Sequence, residues 1–366
     1  MLSLANLPDR FLLSWDQRFV RKLGGRPGIA AFVVAALVFG SFCFLASITG
    51  IYEIMGQGDL PETAYTLGLD PYTWAALISS LLTGFGVSAA SFALVHDVQD
   101  MEEAAPVLGY EADEMITDWL AYLRDAEPLA RVITFGFFVI GFLIAVTNVP
   151  GAQDWLRPEA DRIFPWFQQV PALWFLIVIP FNFALIGKGA YFTLVEGRFR
   201  RRIRTERLAI NLFHLDELAP FTRMALRRSF LWIIGSSICL LFFLNEAVHP
   251  SGLLPFILAI MIVAVVTLVA PLVSIHRKIS VEKVEELRRV RDQLHVHKSE
   301  LMEGGVGAND AARRLSGLVA YEARVERVSE WPLDMPTLGR FSFYLAIPLF
   351  SWVGGALVER VVDFLI

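Results

Sequence analysis

A run of hydroxyl side chains and glycines at helical spacing is the feature of this sequence best suited to line a polar path. Ser80, Gly84, Ser88 and Ser91 follow one another at intervals of four, four and three residues, and Thr83 lies beside them. This spacing places the four residues on one face of a helix. Small residues on one face let helices approach closely in lipid, and hydroxyls can also replace part of the water shell of an ion. The sequence therefore predicts either a close-packing seam or a pathway lining here.

A second candidate for a polar site is the pair Pro180 and Asn182, near the middle of an apolar stretch. Proline removes one helical hydrogen bond and frees a carbonyl, and an amide two residues later adds a polar group at membrane depth. Carriers bind ions and substrates at kinked helices of this kind. The alternative is a packing kink in which Asn182 bonds to a neighbouring helix. Pro348 predicts a second kink near the C-terminus.

Ionisable residues deep in the apolar stretches are few, and Lys188 is the most prominent. Such groups are expensive in a membrane and mark functional sites when they are buried. Lys188 lies within about two turns of the end of its stretch, so it is expected to extend its amine to the lipid headgroups. The alternative is a buried functional cation.

Motifs for catalysis and metal binding are missing from the sequence. It has no HExxH, no GxSxG and no glycine-rich phosphate loop followed by Lys and Ser or Thr. His295 and His297 stand two residues apart on a predicted helix, so their side chains point in different directions and cannot easily share a metal. We therefore expect no enzymatic activity, no cofactor and no metal site.

The elements that position these residues are long apolar stretches separated by charged segments. Hydrophobic residues make up 55% of the chain and charged residues 19%, which is outside the range of ordinary soluble domains. Most of the stretches reach or approach the roughly 20 residues that a helix needs to cross a bilayer. The predicted fold is all-α, a polytopic transmembrane helix bundle of about seven spans. The spans are Ile29–Ile51, Tyr72–Val95, Val132–Asn148, Val170–Val195, Ser229–Leu244, Leu253–Ile275 and Phe341–Leu365.

The distribution of Lys and Arg predicts the orientation of the bundle. Basic residues crowd residues 1–28, 196–228 and 276–340, whereas the loops after the first and fifth spans contain no Lys or Arg. Cationic loops stay on the cytoplasmic side, so the N-terminus is predicted inside and the C-terminus outside, in a plasma membrane of the bacterial inner-membrane type. The predicted domains are an amphipathic cytoplasmic segment 1–28, a bundle of about six spans 29–275, and a final transmembrane helix 341–366.

Two cytoplasmic loops of opposite charge are expected to pair. The loop 97–127 is acidic, and the loop 196–228 is basic. Exposed contacts between them would stabilise the fold only modestly. The basic loop also begins with a cluster that is expected to bind anionic lipid headgroups rather than nucleic acid. That cluster comprises Arg198, Arg200, Arg201, Arg202 and Arg204.

The segment 276–340 predicts a cytoplasmic amphipathic helical hairpin. Two stretches with apolar residues at helical spacing flank the glycines at 304, 305 and 307. His297 and Glu322 interrupt the apolar stripes, which are too short for an extended coiled coil. We therefore expect an antiparallel hairpin with an imperfect seam that projects from the membrane. If the sixth span continues without a break into its first helix, the pair forms a rigid stalk.

Three hypotheses of function remain open from the sequence. The first is a homo-oligomeric channel or pore for ions or small solutes, with the second and fourth spans near the conduction path. The second is a secondary carrier for a small solute, bound near Asn182 and the serines. The third is a membrane-anchored signalling or scaffolding module that docks a soluble cytoplasmic partner through its hairpin.

Overall fold

The computed structural model describes residues 4–12, 14–49, 70–148, 170–208, 210–244, 250–302 and 308–331, with a few isolated positions between 339 and 346. Within these ranges the chain is all-helical and contains no strand. Nine α-helices are described there. They are α1 (Trp15–Lys22), α2 (Pro27–Ile48), α3 (Pro71–Ala104), α4 (Ala112–Asp125), α5 (Glu127–Asn148), α6 (Val170–Arg207), α7 (Ala219–Leu240), α8 (Pro250–Met302) and α9 (Ala308–Glu326).

Five of the described helices are long and apolar enough to cross a membrane, which is consistent with a membrane protein. These five are α2, α3, α5, α6 and the part of α8 from Met261 to Ser299. They contain the second, third and fourth predicted spans and overlap most of the first and part of the sixth. The fifth predicted span falls in α7, which carries Arg223, Arg227 and Arg228 and ends at Leu240, so its apolar part is short. Apart from a few positions up to 346, the seventh predicted span lies outside the described residues, and so does Pro348.

The outer surface of the bundle is apolar, as expected where helices face lipid rather than water. On α5, Val132 is 66% exposed and Phe135 68% exposed, and on α2 Phe32 is exposed to a similar degree. By contrast, α3 is buried along most of its length and lies at the centre, where it packs against α1, α2, α4, α6 and α7.

Local sequence signals set the ends of the helices. The side chain of Asp70 caps α3, because its Oδ1 accepts hydrogen bonds from the backbone N–H groups of Tyr72 and Thr73 at 2.9 and 3.0 Å. Gly24 and Gly25 separate α1 from α2 and have φ angles of +92° and +68°. Since glycine adopts positive φ without a steric cost, the chain turns sharply here. The turn brings α1 back against α3.

Glycines set the closest helix contacts. A Cβ on Gly84 of α3 would lie 2.2 Å from the carbonyl oxygen of Ala31 on α2. A Cβ on Gly187 of α6 would lie 2.4 Å from the Phe137 ring of α5. Both positions therefore admit only glycine without movement of the neighbouring helix, and they lock α2 to α3 and α5 to α6.

The second half of α8 packs against α9. The guanidinium of Arg291 contacts Glu322 at 2.7 Å and Glu326 at 3.0 Å, and the Tyr321 hydroxyl donates to Glu286 at 3.0 Å. The glycines of the predicted hairpin turn, at 304, 305 and 307, lie outside the described residues. The placement of this segment on the cytoplasmic side stays a prediction.

The glycine seam between α5 and α6 can be tested with two neighbouring positions on one helix. Replacing Gly187 by Ala should lower the free energy of unfolding by roughly 1–3 kcal/mol, because the added methyl group collides with the Phe137 ring. Gly189 has no atom within 4 Å of its Cβ position, so Gly189→Ala should leave stability unchanged or slightly raised. Denaturant unfolding of both variants in detergent gives the two values. Equal free energies of unfolding would contradict close packing of α5 against α6 at Gly187.

Candidate ion network and ligand cavity

A fully buried carboxylate joins three helices at the charged end of the bundle. Asp97 of α3 is 0% exposed. It accepts hydrogen bonds from Arg200 of α6 at 2.8 Å and from Arg227 and Arg228 of α7 at 2.6 Å each. An ionised group stays buried only when it is paired and hydrogen-bonded. The three guanidiniums supply that pairing, so the position of Asp97 fixes α3, α6 and α7 relative to one another.

A second buried carboxylate, Glu196 of α6, extends the network. It forms ion pairs with Arg228 and, at 3.3 Å, with Arg200. The two arginines thus bridge Glu196 and Asp97. Burial alone would lower the pKa of Arg228, but the charges of Glu196 and Asp97 and hydrogen bonds to both carboxylates raise it above its ordinary value. This guanidinium is held in its charged form.

The network continues one turn further along α3. Asp100 accepts hydrogen bonds from Arg223 at 2.9 Å and from Arg227 at 2.6 Å, and the exposed Glu103 also pairs with Arg223. Four carboxylates therefore meet four guanidiniums, and the formal charges cancel. We call this set the Asp97 network. Its members are Asp97, Asp100, Glu103, Glu196, Arg200, Arg223, Arg227 and Arg228.

The Asp97 network confirms that the acidic and the basic segment pair. The prediction that their contacts are exposed is wrong for Asp97 and Asp100, which are buried. Asp97 and Asp100 are three residues apart on α3 and face the same neighbours. Both are at most 4% exposed. The helices α3 and α6 continue past their apolar residues, so their charged ends pack side by side as the ends of the bundle rather than as solvated loops.

A cavity of about 930 Å³ lies between six helices beside this network. Glu196 and Arg228 line it at the charged end of the bundle. Leu82, Phe138 and Phe181 line it deeper between the helices. Segments of α1, α3, α4, α5, α6 and α7 line it. The cavity is thus polar at one end and apolar at the other.

Lys188 lies in the cavity wall and is paired there. Its Nζ donates to Oδ1 of Asp16 on α1 at 2.5 Å, and the two side chains are 15% and 2% exposed. The ammonium also lies 5.9 Å from the ring centroid of Trp15. The lysine thus holds α1 against α6 next to the cavity. Its expected placement at the level of the lipid headgroups stays a prediction.

Two N–H donors at the cavity wall are buried without a hydrogen-bond partner among the described residues. The indole Nε1 of Trp119 and the Nε of Arg228 are fully buried and make no hydrogen bond within the described part of the chain. Trp119 is 0% exposed and lies on α4. Buried donors without a partner are costly and are rare in native structures. Both residues border the cavity, but their two nitrogens have no accessible surface, so a molecule in the cavity does not reach them in this structure.

The predicted pathway residues of α3 lie mainly in helix contacts. The hydroxyls of Ser80 and Ser88 donate to carbonyls of their own helix, those of Ala76 and Gly84. Gly84 packs on α2. Ser91 is fully buried, and its hydroxyl makes no hydrogen bond to any described residue. None of these four positions is among the residues that line the cavity.

Asn182 and Thr83 are brought together by the structure. The Thr83 hydroxyl donates to Oδ1 of Asn182 at 2.9 Å, and Nδ2 of Asn182 donates to the backbone carbonyl of Ser79 at 2.9 Å. Asn182 also reaches the cavity wall, nearly two helical turns from Lys188 on α6. Pro180 lies inside α6, where its Cα approaches Gly141 of α5. The amide thus joins α3 to α6 at the edge of the cavity.

The five arginines predicted to bind lipid headgroups lie in different environments. Arg198, Arg201 and Arg202 are exposed, and their contact with anionic headgroups stays a prediction. Arg200 belongs to the Asp97 network. Arg204 is buried, 6.0 Å from the Phe221 ring centroid.

Sequence reasoning missed Trp119 and Asp16 as site residues. A signal for Trp119 is present in the acidic segment, where Met115, Ile116, Trp119, Leu120 and Leu123 recur at helical spacing and are all buried in α4. The pairing of Asp16 has no comparable signal, because its partner lies 172 residues away in the chain.

Metal ligation is not favoured by this arrangement, since its carboxylates are already bonded to arginines. In the part of the chain that the structure describes, no group of three or more His, Cys, Asp or Glu residues could hold a metal ion.

Comparisons with known proteins give no match, whether to a family model, to a curated protein or to a solved structure.

The Asp97 network can be tested by removing single charges. Asp97→Asn should lower the free energy of unfolding by roughly 3–5 kcal/mol, because three buried guanidiniums lose their shared carboxylate. Glu103→Gln is the matched control, since Glu103 is 53% exposed and, among the described residues, pairs with Arg223 alone. It should cost about 1 kcal/mol or less. Denaturant unfolding of the full chain in detergent gives both values, and a loss at Asp97 as small as that at Glu103 would contradict the network.

Proposed function

We propose that this protein is a membrane carrier that binds a small organic solute within its helix bundle. The observation that supports this most is the cavity of about 930 Å³ between α1, α3, α4, α5, α6 and α7. Ligand sites typically measure roughly 300–1,000 Å³ and combine an apolar lining with a few placed polar groups. The cavity has this composition, with Asn182, Lys188 and Arg228 among many apolar residues.

The hydrogen bonding of Ser80 and Ser88 on α3 favours the carrier over the channel hypothesis. A pathway lining needs hydroxyls that face the ion. The hydroxyls of Ser80 and Ser88 are bonded to their own helix, and the glycine between them is in contact with α2. These residues have the environment of a packing seam. The cavity lies on another side of α3, where Phe85, Gly86 and Ala89 line it.

The proposal keeps the orientation inferred from charge. Arginines concentrate at the end of the bundle that holds the Asp97 network, and the positive-inside rule assigns such an end to the cytoplasm. In this orientation the polar end of the cavity faces the cytoplasmic side of a bacterial inner membrane. The carrier would act as a monomer or dimer, whereas a channel would need a ring of copies.

Alternating access can be measured with one cysteine in the cavity. In a Cys43→Ser, Cys239→Ser background, Ala89→Cys places a thiol in the lining and Arg202→Cys places one on the exposed charged end. A membrane-impermeant maleimide should label Ala89→Cys from either side, in right-side-out and in inverted vesicles, because the carrier opens to each side in turn. Arg202→Cys should be labelled from one side.

Two results would contradict the carrier. One is labelling of Ala89→Cys from a single side under all conditions. The other is steady unitary conductance of the reconstituted full chain in planar bilayers, which would favour the channel.

A further inference from the structure

The exposed face of α1 combines aromatic and cationic side chains. Trp15, Arg18, Phe19 and Lys22 occupy positions i, i+3, i+4 and i+7 of this helix, which form one face. All four are exposed, Trp15 to 53% and Phe19 to 39%. Exposed aromatic rings beside basic residues are typical of a helix that lies in the interface between lipid and water. We call these four residues, together with the exposed Arg26, the α1 face.

The other side of α1 is attached to the bundle. Asp16 pairs with Lys188 of α6 at 2.5 Å. Val20 is fully buried and belongs to an apolar cluster with Val34 of α2. Since these contacts hold one side of the helix against α2 and α6, the residues of the α1 face point outward.

The level of the α1 face in the membrane follows from α2. This helix has 22 residues, so it rises about 33 Å, close to the roughly 30 Å of the hydrocarbon layer. Its first residue, Pro27, therefore lies at one edge of that layer. Only residues 23–26 separate α1 from α2, so α1 lies at the same edge. The next residues of α2 include Ile29 and Phe32, which are 49% and 76% exposed, as expected for side chains that contact lipid tails.

The charge of the α1 face favours an anionic partner. Arg18, Lys22 and Arg26 are exposed and form no ion pair with any described residue. The acidic residue of α1, Asp16, is buried against Lys188. In the orientation inferred from charge, this edge belongs to the cytoplasmic leaflet, whose anionic lipids attract basic segments next to the membrane.

The exposed arginines of α6 lie farther from the bilayer than the α1 face. Arg198 and Arg202 follow Lys188, the residue that holds α1, by 10 and 14 positions. These separations correspond to a rise of about 15 and 21 Å along α6. Attraction to a charged surface decays within a Debye length of roughly 8–10 Å. The α1 face is therefore the better placed of the two basic surfaces for contact with headgroups.

We propose that the α1 face binds the headgroups of anionic phospholipids. Trp15 and Phe19 lie in the interface, and Arg18, Lys22 and Arg26 contact the phosphates. This inference goes beyond the carrier proposal, because it holds whether or not the cavity binds a solute. Trp15 and Arg18 also line the cavity, so a lipid on the α1 face lies at the edge of the cavity.

The test compares two spin-labelled lipids at the surface of the full chain. The chain is reconstituted in phosphatidylcholine vesicles at low salt. Electron paramagnetic resonance then gives the association constant of spin-labelled phosphatidylglycerol relative to that of spin-labelled phosphatidylcholine. The original chain should prefer phosphatidylglycerol. The combined variant Arg18→Gln, Lys22→Gln, Arg26→Gln should lower this preference by about twofold or more, because it removes the cations nearest to the headgroups.

A matched control removes the same charge from the other basic surface. The combined variant Arg198→Gln, Arg201→Gln, Arg202→Gln replaces three exposed arginines of α6. It should lower the preference for phosphatidylglycerol clearly less than the α1 variant does. Both variants change only exposed residues, so the fold of the bundle is expected to persist.

A spin label on the protein tests the position of the α1 face separately. In the Cys43→Ser, Cys239→Ser background, the label is attached to Phe19→Cys or, as the control, to Arg202→Cys. Collisions with oxygen, which concentrates in lipid, are compared with collisions with a water-soluble nickel complex. The label at position 19 should favour oxygen, and the label at position 202 should favour the nickel complex.

Four results would overturn the inference. The first two are no preference of the original chain for phosphatidylglycerol and an equal loss of preference in the two combined variants. The third is a label at position 19 that is as accessible to the nickel complex as the label at position 202, since the α1 face would then lie in water. The fourth is a label at position 19 shielded from both reagents, which would show that a second copy of the chain or another protein covers the α1 face.

Discussion

The buried negative charge of Asp97 is the constraint on which the arrangement of the bundle depends. A carboxylate with no solvent exposure must have its charge compensated in place, and here Arg200, Arg227 and Arg228 approach it from two other helices. The geometry leaves little freedom to slide α6 or α7 along α3. Because Arg228 and Glu196 belong both to this network and to the cavity wall, the network also defines the polar end of the cavity.

Two kinds of contact hold the bundle together. In the apolar part, glycines such as Gly84 and Gly187 allow close contact between neighbouring helices. At the charged end, ion pairs join α3, α6 and α7. The pair of Lys188 and Asp16 attaches α1 to α6 beside the cavity.

Much of the fold could be predicted from sequence, because hydropathy alone identifies helices that are long and apolar enough to cross lipid. The pairing of acidic and basic segments was predictable from charge, but the burial of Asp97 was not, since it depends on how far α3 and α6 continue beside each other. Asn182 was identified from the sequence as a polar residue at membrane depth. Its hydrogen bond with Thr83 could not be predicted, because it depends on how α3 and α6 pack side by side. The cavity itself has no sequence pattern, because it consists of the space that six helices leave between them.

A double-mutant cycle between Asp97 and Arg228 tests the role of the network most directly. The free energy of unfolding is measured for the original chain, for Asp97→Asn, for Arg228→Gln and for the double variant. Since each residue is buried against the other, the two losses should be far from additive, with a coupling of about 1.5 kcal/mol or more. Losses that add to within about 0.5 kcal/mol would show that the two charges act independently, and would contradict a network that fixes the helices.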